Sequence, residues 1–292
     1  MDRQPWGGSN KSSPEDSSEG RLLSTVCMRD IVSDWSPMHE AAIHGRLLSL
    51  RSLINQGWPV NIITADGVSP LHEASLGGHP SCVNLLIKYG AQVNAVTTDW
   101  HTPLFNACIV GSLDCLILLL QHGASPHPVS DLASPIHEAA KRGHVQCVEI
   151  LLAHGSHINL NILHLGTPLY MACKKQQVAC VKKLLESGAN VNQGRGRDTP
   201  LHAVAKTSNQ ELALLLLEFG ANPWAKNADG KRPVELVPLE SPLAQILLEH
   251  EGPPSLRQLC RLRIRKCFGP QQHYKINGLF LPEELKRFLL HT

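Results

Sequence analysis

The stretch Ser69-Pro70-Leu71-His72-Glu73-Ala74, continuing as SLGGHPSCVNLLIKYGAQVNAVTTD to Asp99, contains one complete structural unit. A hydroxyl that can cap a helix precedes a proline suited to the first helical turn, where its missing N–H costs nothing. A short helix therefore begins at Pro70. The chain turns near Gly77 and Gly78, and Pro80 opens a second helix whose apolar residues Val83, Leu85, Leu86 and Ile87 share one face. Gly90 ends that helix by entering left-handed space. Ala91 to Asp99 then reads as an extended, hairpin-like finger leading to the next unit.

The same string recurs as SPMHEA from Ser36, TPLFNA from Thr102, SPIHEA from Ser134, TPLYMA from Thr167, TPLHAV from Thr199 and a degraded RPVELV from Arg232. The prolines of the seven strings are spaced by 33, 33, 32, 33, 32 and 33 residues. The glycines Gly57, Gly90, Gly123, Gly155, Gly188, Gly220 and Gly252 keep an independent register of 33, 33, 32, 33, 32 and 32. A unit this small cannot bury its own apolar face, so the units must stack into a solenoid held by nearest-neighbour contacts. The fifth and sixth units replace the inter-helix glycine with Gln176 and Ser208, and Pro238 shortens the first helix of the seventh, which caps the stack.

This pattern resembles the ankyrin repeat family, whose period is about 33 residues and whose signature is T-P-L-H-x-A. The resemblance covers roughly Val32 to Gly252. It implies an all-α fold of helix-turn-helix repeats with β-hairpin fingers, and imidazoles at His39, His72, His137 and His202 that hydrogen-bond between neighbouring loops. These four cannot share one metal ion, because ligands must converge within about 2.0–2.3 Å of it. Cys82, Cys115, Cys147 and Cys180 repeat in the same way on the second helix, while Cys108 and Cys173 share a place near the end of the first; repetition marks all six as small core residues. No C-x-x-C pair, phosphate-binding loop, H-E-x-x-H or G-x-S-x-G string occurs. No catalytic residue, metal or cofactor is expected.

Composition agrees with a soluble scaffold. The 292 residues carry 27 Lys and Arg against 25 Asp and Glu, with 42 % hydrophobic residues, which excludes a highly charged disordered chain and a strongly basic nucleic-acid binder. The first residues contain no apolar signal core, and no run approaches the roughly 18 residues of a membrane span. Nine cysteines, an odd number, with no export signal point to reduced thiols in the cytosol or nucleus, the cytoplasm being the expected setting. Residues 1–31 read as a disordered leader, 32–252 as the array and 253–292 as a separate unit.

After Gly252 the period stops. Residues 253–292 hold eight Lys or Arg and two Glu, a local charge of +6 that leaves −4 for the remainder. Leu256, Cys260 and Ile264 fall at i, i+4 and i+8 of a helix starting after Ser255, and this stripe has no partner within so short a segment. With Leu259 it resembles the elongin-binding element of the SOCS box family, [ST]-L-x-x-x-C-x-x-x-[ILV]. Downstream, Leu281, Pro282, Leu285 and Phe288 resemble the L-P-x-x-L-x-x-[YF]-L element through which such boxes select a cullin. The two elements lie in order, about 25 residues apart, and the chain is identified as a member of the ankyrin repeat and SOCS box family. The resemblance implies a substrate-recognition subunit of a ubiquitin ligase built on elongins B and C, cullin-5 and its RING partner; a closer likeness to one member of the family implies creatine kinases as targets. The competing class is a binding module that sequesters its partner without ubiquitination.

A target surface is expected where the array breaks its own rule. The third unit has Phe105 where four others have histidine, and its finger reads Asp99-Trp100-His101, with Trp100 where the seventh unit has Gly230. Exposed aromatics at a finger tip are characteristic interface anchors, although Phe105 has the alternative of packing between repeats. Asp30, Asp34 and Trp35 at the entrance to the array, with Ile63 and Asp66 on the preceding finger, would extend the patch.

Overall fold

A computed structural model describes residues 35–130, 133–252, 256–268, 276 and 278–290. Six helix pairs follow one another: α1 (Pro37–Ile43) with α2 (Leu47–Asn55), α3 (Pro70–Leu76) with α4 (Pro80–Lys88), α5 (Pro103–Val110) with α6 (Leu113–Gln121), α7 (Pro135–Arg142) with α8 (Val145–Ala153), α9 (Pro168–Lys174) with α10 (Val178–Glu186), and α11 (Pro200–Thr207) with α12 (Gln210–Glu218). Every first helix starts at the proline of its repeat. Ser69, Thr102 and Thr167 each accept the backbone N–H three residues on, as the capping argument requires.

First helices pack on first helices and second on second, each with its neighbour in the stack. One continuous core runs through all the units, and it includes the six repeated cysteines. The fifth and sixth inter-helix turns keep left-handed geometry without glycine, at Gln176 (φ 57°) and Ser208 (φ 53°). In the seventh unit the first helix shrinks to a four-residue 3-10 turn, Pro233–Leu236, followed by α13 (Pro242–Glu249).

The fingers depart from the hairpin expectation. Instead of paired strands they contain tight turns, with isolated bridges at Ser130–Ala133, Ile162–Gly166 and Arg195–Asp198. The reason is their length: the bond from Thr97 N–H to the His101 carbonyl (3.0 Å) leaves only three residues inside the loop. What stiffens each finger is its neighbour. Asn61 and Asn94 each donate to a glycine carbonyl 29 residues on, Gly90 and Gly123, and accept a backbone N–H 31 residues on.

The four signature histidines link adjacent units. His72 Nδ1 accepts the Ser69 N–H, and its Nε2–H donates to the carbonyls of Ala95 and His101, both at 3.1 Å. His39, His137 and His202 donate to the carbonyls of Val68, Gly166 and Lys231. A second histidine contact was not read from the sequence. His144 donates to the Ile109 carbonyl while its ring lies over Gly111, and a Cβ there would meet the ring at 2.5 Å. Gly111 is thus required both by its φ of 78° and by the imidazole above it.

Leu86 and Leu119 are fully buried, whereas Leu118 is only partly so. Leu86→Ala and Leu119→Ala are each expected to lower stability by about 2–5 kcal/mol through the cavities they leave, and Leu118→Ala by less. Hydrogen-exchange protection should fall first in the altered and flanking units. A uniform loss along the stack would contradict nearest-neighbour coupling.

Beyond the array lie α14 (Leu256–Phe268) and α15 (Glu283–Leu290), which touch each other. Ile276 and Leu289 form a small core, with Leu281 and Phe288 packed against it.

Candidate functional site

Helix α14 presents two different faces. Leu262 packs against the end of the sixth unit, its methyl carbons 3.0–3.1 Å from where a Cβ on Gly220 would stand. Away from that contact, Leu256 is 77 % exposed, and Leu259, Cys260 and Ile264 are exposed with it. An apolar stripe left in water on an otherwise arginine-rich helix is a surface built for a partner. Because Leu256 is the first residue of α14, a proline there would be tolerated.

The downstream element divides into two pairs. Pro282 and Leu285 are exposed and can be offered to a partner. Leu281 and Phe288 are partly buried and pack against Ile276 and Leu289.

On the array, Trp35 is exposed and donates its indole N–H to Glu40 at 2.9 Å. Ile63 and Asp66 are exposed on the first finger, and the Thr98 N–H bonds the Asp66 carbonyl, which ties that finger to the next. Trp100 is 43 % exposed with φ 64°, in the place that Gly67 and Gly230 occupy at 75°. Left-handed geometry costs an ordinary residue roughly 1–2 kcal/mol. Asp30 and Asp34 lie outside the described residues.

Phe105 corrects the expectation of two exposed aromatics. It is only 7 % exposed and stacks beneath His101 with ring centroids 4.4 Å apart. It fills the slot that histidine fills in other units, as Tyr170 does in the fifth. The signal was available in the sequence, since a position read as structural in four units is a buried position in all of them. Phe105 supports the finger, and only Trp100 and the partly exposed His101 reach outward.

The titratable groups inside the array are tuned by burial. His72 and His137 are lowered to about 4 by desolvation, and burial raises Cys147 to about 11 and Cys180 to about 12, so neither thiol is a ready nucleophile. Among the described residues no group of three or more His, Cys, Asp or Glu could hold a metal ion. No helix there is long and apolar enough to cross a membrane.

A stacked-repeat scaffold that exposes an apolar helix stripe at one end and an aromatic finger patch at the other is a protein-binding adaptor. Family models agree: ankyrin repeats match residues 38–87, 94–162 and 161–227, and the SOCS box matches 252–290. The chain is 72 % identical over 293 residues to human ankyrin repeat and SOCS box protein 9 and 69 % identical over 291 residues to the mouse protein, covering 100 % of both chains in each case. It is 54 % identical to human ankyrin repeat and SOCS box protein 11, covering 90 % of this chain and 81 % of that one. The crystal structure of the human ASB11 ankyrin repeat domain superposes with TM-score 0.73 at 53 % identity, covering 76 % of this chain and 100 % of that one. The ankyrin repeat domain of Bcl-3 gives 0.61 at 28 % identity, covering 74 % and 98 %. This chain belongs to the ankyrin repeat and SOCS box family, whose members serve as substrate-receptor adaptors of elongin–cullin ubiquitin ligases.

Proposed function

We propose that the chain is the substrate-recognition subunit of a ligase assembled from elongins B and C, cullin-5 and a RING partner, working in the cytoplasm, with a creatine kinase as target. The observation that carries this reading is the exposed stripe of Leu256, Leu259, Cys260 and Ile264 on a helix whose other side is seated on the array. In this reading residues 253–292 are the adaptor-docking unit and 32–252 the target receptor, while Pro282 and Leu285 select the cullin. The chain contributes proximity: a ubiquitin-loaded enzyme carried elsewhere on the complex is held near the target's lysines at high effective concentration.

Reconstitution with purified creatine kinase tests it. Ubiquitin chains on the kinase that require this chain, elongins B and C and cullin-5 together support the proposal. Tight binding of the kinase with no ubiquitin transfer would leave the sequestering module instead.

Trp100→Gly tests the target surface separately. Relief of the left-handed strain should raise stability by about 1 kcal/mol, while loss of the anchor should weaken the target by about 2 kcal/mol. Opposite signs in a melting curve and a binding titration identify a residue kept for contact; unchanged target affinity would place the surface elsewhere.

A further inference from the structure

The side of the stack that carries the fingers changes chemistry halfway along. Counting from the helix proline, the seventh residue is Ile43, Leu76 and Ile109 in the first three units and Lys141, Lys174 and Lys206 in the next three. This position faces the fingers, since Lys206 Nζ pairs with Asp198 at the finger base at 2.6 Å. The finger tips follow the same trend. Asp66 and Asp99 stand exposed on the first two, and Arg195, Arg197 and Lys231 stand exposed on the last two. Against these cations stands Asp229 on the final finger.

Several basic groups in this half already have acidic partners. Glu138 binds both Lys141 and Arg142, Asp198 binds Lys206, and Arg232 binds Glu235 and Glu251. Lys174, Lys175, Arg195, Arg197 and Lys231 remain exposed and in no ion pair among the described residues. Neither flanking segment is strongly acidic. Residues 1–34 contain six acids and four Lys or Arg, a net charge of −2, and residues 253–292 are net +6. An acidic segment of another molecule would complement them.

Resting on the target-receptor reading above, we propose that Lys174, Lys175, Arg195, Arg197 and Lys231 form a second recognition surface that docks an acidic segment of the target protein, while the Trp35–Trp100 end holds a separate part of it. The sign change favours a protein over a nucleic acid: a uniform polyanion reaching along the fingers would meet Asp66 and Asp99, whereas a folded target can match both signs. Complementary charge of this kind orients the encounter and speeds association more than it tightens the final complex.

The test uses the full chain in complex with elongins B and C, and purified creatine kinase. Lys174→Glu, Lys175→Glu, Arg197→Glu in one variant should slow association about tenfold at low salt, shrinking to less than twofold at about 0.5 M salt, where charges are screened within a few ångströms. Arg51→Glu, Lys88→Glu, Lys182→Glu, an equal charge change on the second helices, should have less than a third of that effect. Equal slowing in both variants overturns the proposal.

A second arm separates this inference from the identity of the target. A labelled twelve-residue peptide of Glu, Asp and Ser should bind the wild-type complex at least tenfold more tightly than its Gln and Asn counterpart, and this preference should vanish in the first variant. If creatine kinase fails to bind but the peptide preference holds, the target assignment fails and the surface stands. Absence of the preference overturns the surface, as does equal or tighter binding of polyuridylate. A tenfold gain in peptide affinity on removing residues 1–30 overturns it too, by making the chain's own leader the occupant.

Discussion

Leu256→Ala combined with Cys260→Phe should abolish co-purification with elongins B and C while leaving the melting temperature of the array within a few degrees of wild type. Burying a leucine is worth roughly 1.5–3 kcal/mol, and a phenylalanine one turn later overfills the same stripe. Together these changes remove about 4 kcal/mol, close to a thousandfold in affinity. The array is spared because both side chains are exposed and the seat of α14 is Leu262. Retained elongin binding by the folded variant would refute the adaptor assignment. In the companion variant, Pro282→Ala with Leu285→Ala, elongin binding should persist and cullin-5 binding weaken. Leu281→Ala is a poorer test, since Leu281 belongs to the box's own core.

Acid should unfold the array between about pH 6.5 and pH 4, and the histidine ladder explains the window. His72 and His137 titrate near 6.5 in the unfolded chain and near 4 in the folded one, chiefly through burial. Between those values the unfolded state binds more protons, so stability falls as pH falls. The contribution is complete above about 6.5 and gone below about 4. Each histidine supplies roughly 3 kcal/mol at neutral pH by that linkage. Burial lowers His39 and His202 in the same direction. Glu73 works against them, because burial raises its carboxyl and favours the folded state at lower pH. Urea titrations at pH 7 and pH 4.5 should differ by several kcal/mol, and His72→Gln with His137→Gln should flatten the difference while lowering stability at pH 7. An unaltered slope in that variant would remove the histidines from the account.

The repeat could be read from the chain almost completely because its punctuation is local. Proline starts each first helix, glycine ends each second one, and both recur within one residue of a fixed period. Gln176 and Ser208 were visible as departures for the same reason. The unread features depend on a neighbouring unit. The seating of His144 over Gly111 joins residues 33 apart, whereas the burial of Phe105 could be read from the repeat position it shares with the buried histidines. In the box, α14 was legible from its stripe, but the partial burial of Leu281 and Phe288, beside the exposed Pro282 and Leu285, appears only when Ile276 and Leu289 come together.

Because each histidine and asparagine link reaches only the next unit, the array behaves as a ruler. Layers of packed helices advance about 8–10 Å each, and about four of them separate the Trp100 finger from Gly220, where α14 is seated. A partner gripping the Trp100 finger would then stand some 30–40 Å from one docked on α14. Adding or deleting a whole 33-residue unit in the middle would leave every bond type intact while translating and rotating the cargo. On the proposed reading, which cargo lysines would come within range of the transferred ubiquitin depends on the number of repeats as much as on the residues that would grip the cargo.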